Sequence, residues 1–387
     1  MRLLLACLFL SVSPLLLSQA PGDTSLVLEF QLRVRSEWRD GYRLTAMPGD
    51  AGSLTTFQRN RIGIRGGWGR MNFRLQLQDV RNYGQPGGNT QGNMGAAEAW
   101  GSLDLRDGLR VVVGRQKVDI DNGRIVGAAN WANPGRFLDG VQFIRTREQA
   151  RTALLVAWDE VNQTRRVLGH HQQRFGDRHA LTAMFMDQDS ETEFSAFTAG
   201  LTWRSKVGET GWWATEAYMQ NPEGGGTNGM WNLETGRKGA KGHTWVAGLD
   251  LVGDDTPGVA FRPLLGTNHK FYGWMDHFYL GAATNGLTDL HLRHAGPLSD
   301  SRSWGAVLHH FRTFGFGDLL AQEIDLYVRG REQEGIAWTV GWSLMTTTPE
   351  HVARQGHLPE SDWAASADRL QQWGWISINL EPSILLR

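Results

Sequence analysis

SLVLEFQLRVR, residues 25–35, decides the fold class of this chain. Apolar side chains take every second position of the segment, namely Leu26, Leu28, Phe30, Leu32 and Val34. From residue 29 onward they alternate with Glu29, Gln31, Arg33 and Arg35. Because successive side chains of a β-strand point to opposite faces, this alternation predicts a strand with one apolar face and one charged face.

The same alternation recurs along the chain, most clearly over 70–78, 323–329 and 336–344. Short breaks rich in glycine and aspartate separate the runs, and the sequence contains no amphipathic helix of more than three turns. The polar segments Asn162–Arg178 and Gln220–Gly242 are predicted to be loops. Strands of about 10 residues with connections of similar length would number about 16 to 18. The sequence therefore predicts an all-β chain of about 16 to 18 strands.

Composition favours a membrane barrel over a soluble β-sandwich, which would also show alternating strands. The chain contains 17 Trp, and indole rings are enriched at the two lipid–water boundaries of membrane barrels. The polar faces of the strands carry Glu, Gln and Arg at successive positions, as a wet lumen would require. In lipid every backbone polar group must be hydrogen-bonded, so such a sheet has to close. We expect a single transmembrane antiparallel β-barrel.

The N-terminal residues predict export from the cytoplasm. Arg2 precedes the apolar run Leu3–Leu17, which ends in Ser18, Gln19 and Ala20, the pattern of a cleaved signal peptide. A membrane anchor is the alternative, but the run is shorter than a spanning helix requires. We expect a signal peptide over 1–20, a barrel over 21–387, and a location in the outer membrane of a Gram-negative bacterium.

Charge provides the first indication of a ligand. The formal net charge of −1 argues against a nucleic-acid partner. Only five of the 39 basic residues are lysines, and the arginine guanidinium pairs carboxylates through two parallel hydrogen bonds. High genomic GC content is the alternative explanation of this excess. The candidates for an inward arginine ladder are Arg33, Arg35, Arg65, Arg74, Arg115 and Arg136, with Glu29 and Asp139 as pairing acids.

Two blocks of sequence resemble the alginate export family of outer-membrane proteins. The first, FQRNRIGIRGGWGRMNFRLQLQDVRN, spans Phe57–Asn82, and the second spans Ala97–Phe143. The second contains AEAWGSLDL and then VVVGRQKVDIDNGRIVGAANWANPGRFLDGVQF. A later stretch, HKFYGWMDHFY at 269–279 followed by TNGLTDLHL at 284–292, resembles the C-terminal half of the family.

The resemblance implies a single barrel of about 18 strands that releases an acidic polysaccharide or small anions through an arginine-lined constriction, and we expect it to be a monomer. The site residues that it implies are Arg115, Gln116, Arg124, Arg136 and Asp139. For an outer-membrane barrel we also expect contact with outer-membrane lipid, lipopolysaccharide and the barrel-assembly machinery. The chain departs from the usual barrel pattern because it ends in Ser383–Arg387 without a terminal aromatic residue.

The sequence contains no catalytic motif, so we expect a channel rather than an enzyme. The pairs His170–His171 and His309–His310 lack an HExxH helix, and adjacent strand residues point to opposite faces. No cofactor is predicted, although Asp119, Asp121 and Asn122 would allow calcium in a loop. The alternatives that remain are an outer-membrane hydrolase or acyltransferase and a closed structural barrel without conductance.

Overall fold

The computed structural model describes residues 25–83, 93–253, 260–278, 286–332 and 335–386. The predicted signal peptide at 1–20 lies outside these residues. Two short helices within them are α1 (Pro349–Gln355) and α2 (Trp363–Ala367). The strands within them are β1 (Ser25–Asp40), β2 (Ser53–Trp68), β3 (Met71–Tyr83), β4 (Asn93–Asp104), β5 (Leu109–Gln116), β6 (Leu138–Thr146), β7 (Ala150–Asp159), β8 (Thr164–Phe175), β9 (His179–Ser190), β10 (Ala196–Val207), β11 (Gly211–Pro222), β12 (Asn228–Lys238), β13 (Thr244–Val252), β14 (Leu287–Pro297), β15 (Arg302–Arg312), β16 (Leu319–Arg331), β17 (Ile336–Thr347), β18 (Gln371–Leu380) and β19 (Ser383–Leu386).

The strands form one closed antiparallel sheet. Each strand from β1 to β18 pairs with the next, and β18 pairs back onto β1 with Leu32 opposite Leu380. After Glu381 and Pro382 the short β19 continues along the same edge of β1, with Leu26 opposite Leu386. The chain is therefore an all-β barrel of 18 strands with a short terminal extension, which confirms the predicted fold class.

The two faces of the sheet have opposite character. In β1 the side chains of Arg33 and Arg35 are buried inside the barrel, whereas Phe30 is exposed on the outside. Ile62, Leu75 and many other large apolar side chains share this outward exposure. An apolar outer band with a polar interior is the arrangement of a barrel embedded in lipid. Among the described residues, no helix combines the length and apolar composition that crossing a bilayer requires.

The two ends of the barrel differ in their connections. One end, called here the short-turn end, carries tight turns such as 69–70, 147–149 and 208–210. The opposite end carries the longer connections. Three of these matter for the lumen, and we name them loop A (117–137), loop B (the described residues 260–278 between β13 and β14) and loop C (348–370, which contains α1 and α2).

Two segments predicted to be loops contain strands. Asn162–Arg178 contains β8, and Gln220–Gly242 contains β12. Both strands pair along nearly their whole length with their neighbours on each side. The prediction was wrong because main-chain hydrogen bonds hold these strands, while their inward side chains face a polar lumen and need no apolar character.

Candidate functional site in the lumen

A wall of arginines covers the inward faces of β1, β2 and β3. Arg33 lies directly opposite Arg59, and Arg65 lies opposite Arg74. Of the predicted ladder, the structure places Arg33, Arg35, Arg65 and Arg74 on this inward face. Unscreened guanidinium groups at such close range repel one another. Each therefore requires an acceptor, and the acceptors differ along the wall.

Loop A folds into the lumen and supplies acceptors for the arginines nearest the long-loop end. Arg33 donates from Nη1 to the carbonyl of Asn130 at 2.7 Å and from Nη2 to that of Ala132 at 3.0 Å. Arg35 donates to the carbonyl of Trp131 at 2.7 Å and lies 3.9 Å from the centre of its ring. Arg33 is only 6% exposed. These arginines thus hold loop A against the wall rather than face the solvent.

Arg65 and Arg74, nearer the short-turn end, pair with carboxylates instead. Arg65 Nε lies 2.8 Å from Glu29 Oε1, and Arg74 bridges Glu29 at 2.8 Å and Glu98 at 3.0 Å. The predicted pairing of Glu29 within the ladder is therefore present. The side chain of Arg65 remains 54% exposed, so this part of the wall keeps its contact with water.

Arg124 of loop A is the centre of a buried polar network. Its Nη1 lies 2.9 Å from Asp250 Oδ1 and its Nε 3.4 Å from Glu216 Oε2. It also donates to the hydroxyl of Tyr272 at 3.2 Å and stacks on Phe271. Burial alone would lower the pKa of Arg124, but Asp250, Tyr272 and Glu216 raise it well above its usual value. The network ties loop A to β11, β13 and loop B.

Arg136 joins loops A and B through their backbones. Its Nη1 donates to the carbonyls of Gly127 at 2.9 Å and Gly266 at 3.2 Å, and also to that of Leu265. The backbone of Gly127 donates to Leu265 as well, at 2.8 Å. Arg136 therefore lies within the lumen but in a loop, where it fixes the two loops to each other.

Arg115 and Asp139 face outward, which corrects their predicted place in the inward ladder. They pair across β5 and β6 with Arg115 Nε 2.8 Å from Asp139 Oδ1. Arg115 shares its face of β5 with Val113, which is 46% exposed among the outward apolar residues. The guanidinium itself is 43% exposed. Gln116, one position further along, is buried on the inward face.

Two cavities follow one another along the lumen. The inner cavity, about 580 Å³, reaches Arg329 and Thr339 toward the short-turn end. The outer cavity, about 320 Å³, reaches Arg39 and Arg43 toward the long-loop end. The residues that line both cavities are Trp131 of loop A and Thr267 and His269 of loop B. These three side chains form the partition between the cavities.

Stacking and hydrogen bonding order this partition. The rings of Trp131 and His269 lie 4.5 Å apart with planes 15° from parallel. His269 Nδ1 lies 3.0 Å from Asp276 Oδ1, and the hydroxyl of Tyr42 donates to the other oxygen at 2.5 Å. Burial would raise the pKa of Asp276, but His269, Tyr42 and Arg43 together lower it. A charged Asp276 therefore fixes the orientation of the His269 ring.

The inner cavity presents cationic side chains to the solvent. Its carboxylates Glu234, Asp250 and Asp289 are largely buried in the wall. Lys270 and Arg329 are exposed, and Arg204 and Arg293 are half-buried. Partial burial, followed by the charges of Arg124, Arg293 and Arg204, lowers the pKa of Lys270. Three guanidinium groups therefore lie close enough to Lys270 to act on its charge.

Sequence reasoning did not include Arg204, Lys270, Arg293 or Arg329 among the candidate site residues, although the alternation over 323–329 had placed Arg329 on a polar strand face. Arg293 could have been predicted from the sequence, because His291 and Arg293 alternate with Leu290 and Leu292 in β14. Lys270 could not, since it lies in an irregular loop whose course no periodicity predicts.

The predicted calcium loop does not converge on one point. Asp119 accepts a hydrogen bond from the backbone of Ala128, whereas Asp121 accepts one from Thr182 of β9. Asn122 donates from Nδ2 to Glu216 of β11, and its Oδ1 accepts from the backbone of Arg124. The three side chains therefore bind separate protein groups in this structure, and calcium in this loop stays a prediction.

Comparison with known proteins shows a shared fold at low sequence identity. No family model and no curated protein matches the chain. Among solved structures it is similar to OccAB4 of Acinetobacter baumannii, with TM-score 0.66, 9% identity and coverage of 93% of this chain and 98% of that one. It is also similar to the outer-membrane protein OprD of Pseudomonas aeruginosa, with TM-score 0.66, 13% identity and coverage of 93% and 94%. OpdK of the same species gives a TM-score of 0.64 at 10% identity, with 93% and 99% covered.

These similarities correct the predicted resemblance to the alginate export family, which was wrong. Solved structures that share the fold over nearly the whole chain include Occ and OprD proteins. The turn at Gly123–Arg124 and the segment Asn133–Arg136, on which the resemblance rested, serve to hold loop A inside the barrel. Any barrel with an inward loop has that requirement. The shared fold and the apolar outer face confirm the predicted location in an outer membrane.

Proposed function

We propose that this chain is a passive channel through which small anionic solutes cross the outer membrane. The observation that carries the proposal is the succession of two cavities along one lumen, separated by Trp131, Thr267 and His269. A barrel whose lumen holds two water-accessible chambers in series offers a path that a closed structural barrel lacks.

Charge exposure supports anions as the permeant class. In the outer cavity Arg39 and Arg43 are partly exposed, whereas Glu37 and Asp276 are almost fully buried. The inner cavity repeats this arrangement with Lys270 and Arg329 facing the solvent. Charged groups lining a pore favour permeants of opposite sign. A solute carboxylate would thus meet a guanidinium or ammonium group on both sides of the partition.

Weak binding at each site would permit release. Glu37 already accepts hydrogen bonds from both Arg35 and Arg39, at 2.6 and 2.8 Å. A permeating carboxylate must compete with this internal acid, which limits how long it stays. Conduction requires binding strong enough to admit the solute but weak enough to release it.

Cavity size supports small solutes rather than a polymer. The inner cavity of about 580 Å³ falls in the range of sites that take small molecules, about 300 to 1,000 Å³. Toward the outer cavity the stacked rings of Trp131 and His269 narrow the path. We therefore propose small mono- or dicarboxylates as the solutes.

Single-channel recording tests the proposal. The purified chain, inserted in a planar bilayer under a KCl gradient, should give a reversal potential of anion-selective sign and a current that small carboxylates reduce. Lys270→Gln should move the reversal potential toward zero. Arg115→Gln removes the same charge from the outer face and should leave it unchanged. A silent bilayer containing the folded barrel would overturn the proposal.

A further inference from the structure

Two histidines lie side by side on the inner wall, away from the arginines of β1 to β3. His291 of β14 is directly opposite His309 of β15, and Asp289 is the preceding inward residue of β14. All three line the inner cavity. Within the described residues they are the group of three potential metal ligands whose atoms lie within 4.8 Å of one another.

The distances suit a tetrahedral metal ion. His309 Nδ1 lies 2.9 Å from Asp289 Oδ2, and His291 Nδ1 lies 3.7 Å from the same oxygen. Asp250 Oδ2 is 3.8 Å from His291 Nδ1 on the other side. With metal–ligand bonds of about 2.1 Å, neighbouring ligands of tetrahedral zinc are about 3.4 Å apart. The three nitrogen–oxygen distances lie within about 0.5 Å of that spacing, and the ligand atoms of Asp289, His291 and His309 all lie within 4.8 Å of one another.

The outer nitrogen of each ring faces a carboxylate. His291 Nε2 lies 3.3 Å from Glu234 Oε1, and His309 Nε2 lies 3.8 Å from Asp325 Oδ2. Metal-binding histidines usually donate their second N–H to a carboxylate, which fixes the tautomer and the orientation of the ring. Both rings therefore have this support when Nδ1 is the ligand atom.

Unsatisfied atoms point to a missing partner. His291 Nδ1 is buried and has no hydrogen-bond partner among the described residues, although its side chain is only 6% exposed. Buried polar groups are nearly always satisfied by protein, water or an ion. Arg293 and Arg124 pair with Glu234 and Asp250, whereas the ion pairs of Asp289 within the described residues are with histidines. A cation between the rings would give His291 Nδ1 a partner and would neutralise the charge of Asp289.

We propose that Asp289, His291 and His309 bind a divalent transition-metal ion of the Zn²⁺ class, with Asp250 as the nearest further oxygen ligand. Imidazole and carboxylate donors suit Zn²⁺, Cu²⁺ and Ni²⁺, whereas calcium and magnesium prefer oxygen alone. The site does not depend on the channel function, since the wall would bind the ion whether or not the barrel conducts. In a conducting barrel the bound ion adds positive charge to the inner cavity.

The neighbouring strand leaves room for this arrangement. Gly248 of β13 lies opposite His291, and a Cβ at Gly248 would approach His291 Nε2 to 2.2 Å. Glycine is therefore the residue that lets the imidazole lie across β13 toward Glu234. Any larger side chain would push the ring away from its carboxylate.

Zinc binding by the untagged, EDTA-treated full chain tests the site. Isothermal titration with ZnCl₂ should show one saturable site per chain. His291→Gln and His309→Gln should each weaken it by roughly tenfold or more, the usual effect of removing a ligand or its support. His310→Gln is the matched control, because His310 is adjacent in sequence but faces outward toward Gln322. It should bind zinc as the wild type does.

Folding is checked separately by the heat-dependent electrophoretic shift of the barrel. If the two variants do not fold, X-ray absorption of zinc-loaded wild-type chain decides, and a shell with two imidazoles is expected. No saturable zinc binding by the wild type would overturn the site. Equal zinc binding in folded His291→Gln and His309→Gln, or a shell with fewer than two imidazoles, would overturn it too.

Discussion

The indole ring of Trp131 lies flat on the imidazole of His269, with ring centres 4.5 Å apart. This contact joins loop A to loop B at the level where the outer cavity ends and the inner cavity begins. Trp131 also meets Trp373 and Trp375 of β18 edge-on. The partition is thus anchored on the barrel wall as well as on the loops.

Replacing Trp131 with alanine should widen the path through the partition. The side chain that separates the two cavities is removed, while the backbone carbonyl that binds Arg35 remains. We expect single-channel conductance to rise roughly twofold, because pore diameter limits the current. Trp158→Ala is the control, since Trp158 is exposed on the outer face. Equal conductance in wild type and Trp131→Ala would place the narrowest point elsewhere.

Arg33 should determine how firmly loop A is held. Its two hydrogen bonds to Asn130 and Ala132 are charge-assisted, and such bonds contribute about 1.5 to 3 kcal/mol each. Arg33→Gln should therefore lower the free energy of local opening by about 2 kcal/mol, which corresponds to roughly 30-fold faster amide exchange. Hydrogen–deuterium exchange over 128–134 measures this.

The control for that measurement is Arg65→Gln. Arg65 belongs to the same arginine wall but pairs with Glu29 and does not contact loop A. Its exchange profile over 128–134 should match the wild type. If amide exchange over 128–134 became equally faster in both variants, the combined charge of the arginine wall, rather than the hydrogen bonds of Arg33, would hold loop A.

Acid should open loop C, because two histidines are buried between it and loop B. His277 Nδ1 lies 3.0 Å from His351 Nε2 of α1, and His277 Nε2 donates to the carbonyl of Gly41. Burial lowers the pKa of His277 to about 4, with Gly41 and Asp276 opposing the shift and His357 adding to it. Burial, followed by the charges of His277, Arg354 and His357, lowers the pKa of His351 well below its usual value.

Because the pKa values of His277 and His351 are both lowered, the closed form of loop C binds fewer protons than the open form. Its stability is therefore fully present above about pH 6.5, the ordinary histidine pKa, and falls as the pH decreases toward about 4. Exchange over 348–370, corrected for the intrinsic rate at each pH, should increase below pH 6.5. His351→Gln should reduce this pH dependence. An opening free energy that is constant from pH 7 to pH 4.5 would contradict the assignment.

The sequence predicts the strands and their inward and outward faces, because alternation encodes them. It predicts little of the register between strands or of the course of the loops. Inward and outward residues of β1 can be assigned from the sequence because polar or charged and apolar side chains alternate without a break over 28–35. In β5 three consecutive valines, 111 to 113, interrupt the alternation, so the sequence does not show which side chains face inward. For this reason Arg115 was assigned to the wrong face. The pairing of His291 with His309 arises from the register of two strands, and no spacing along the chain reveals it.

Arg124 should be the most costly lumen arginine to lose. Removing one partner of a buried ion pair leaves an uncompensated charge, which costs about 3 to 5 kcal/mol. Arg124→Gln leaves Asp250 and Glu216 buried without their shared cation. We therefore expect a marked loss of unfolding free energy, measured by denaturant titration in detergent with EDTA present. Arg293→Gln is the control, because its half-exposed pair with Glu234 should contribute about 1 kcal/mol or less.

A second substitution separates charge from packing in that result. Asp250→Asn removes one of the two carboxylates that Arg124 neutralises, so Arg124→Gln with Asp250→Asn should be more stable than Arg124→Gln alone. The recovery should be partial, because Glu216 keeps its charge in the same network. If the double variant were as unstable as Arg124→Gln, the loss would come from the stacking of Arg124 on Phe271 and its contact with Tyr272. Loop A would then be held there by packing rather than by charge.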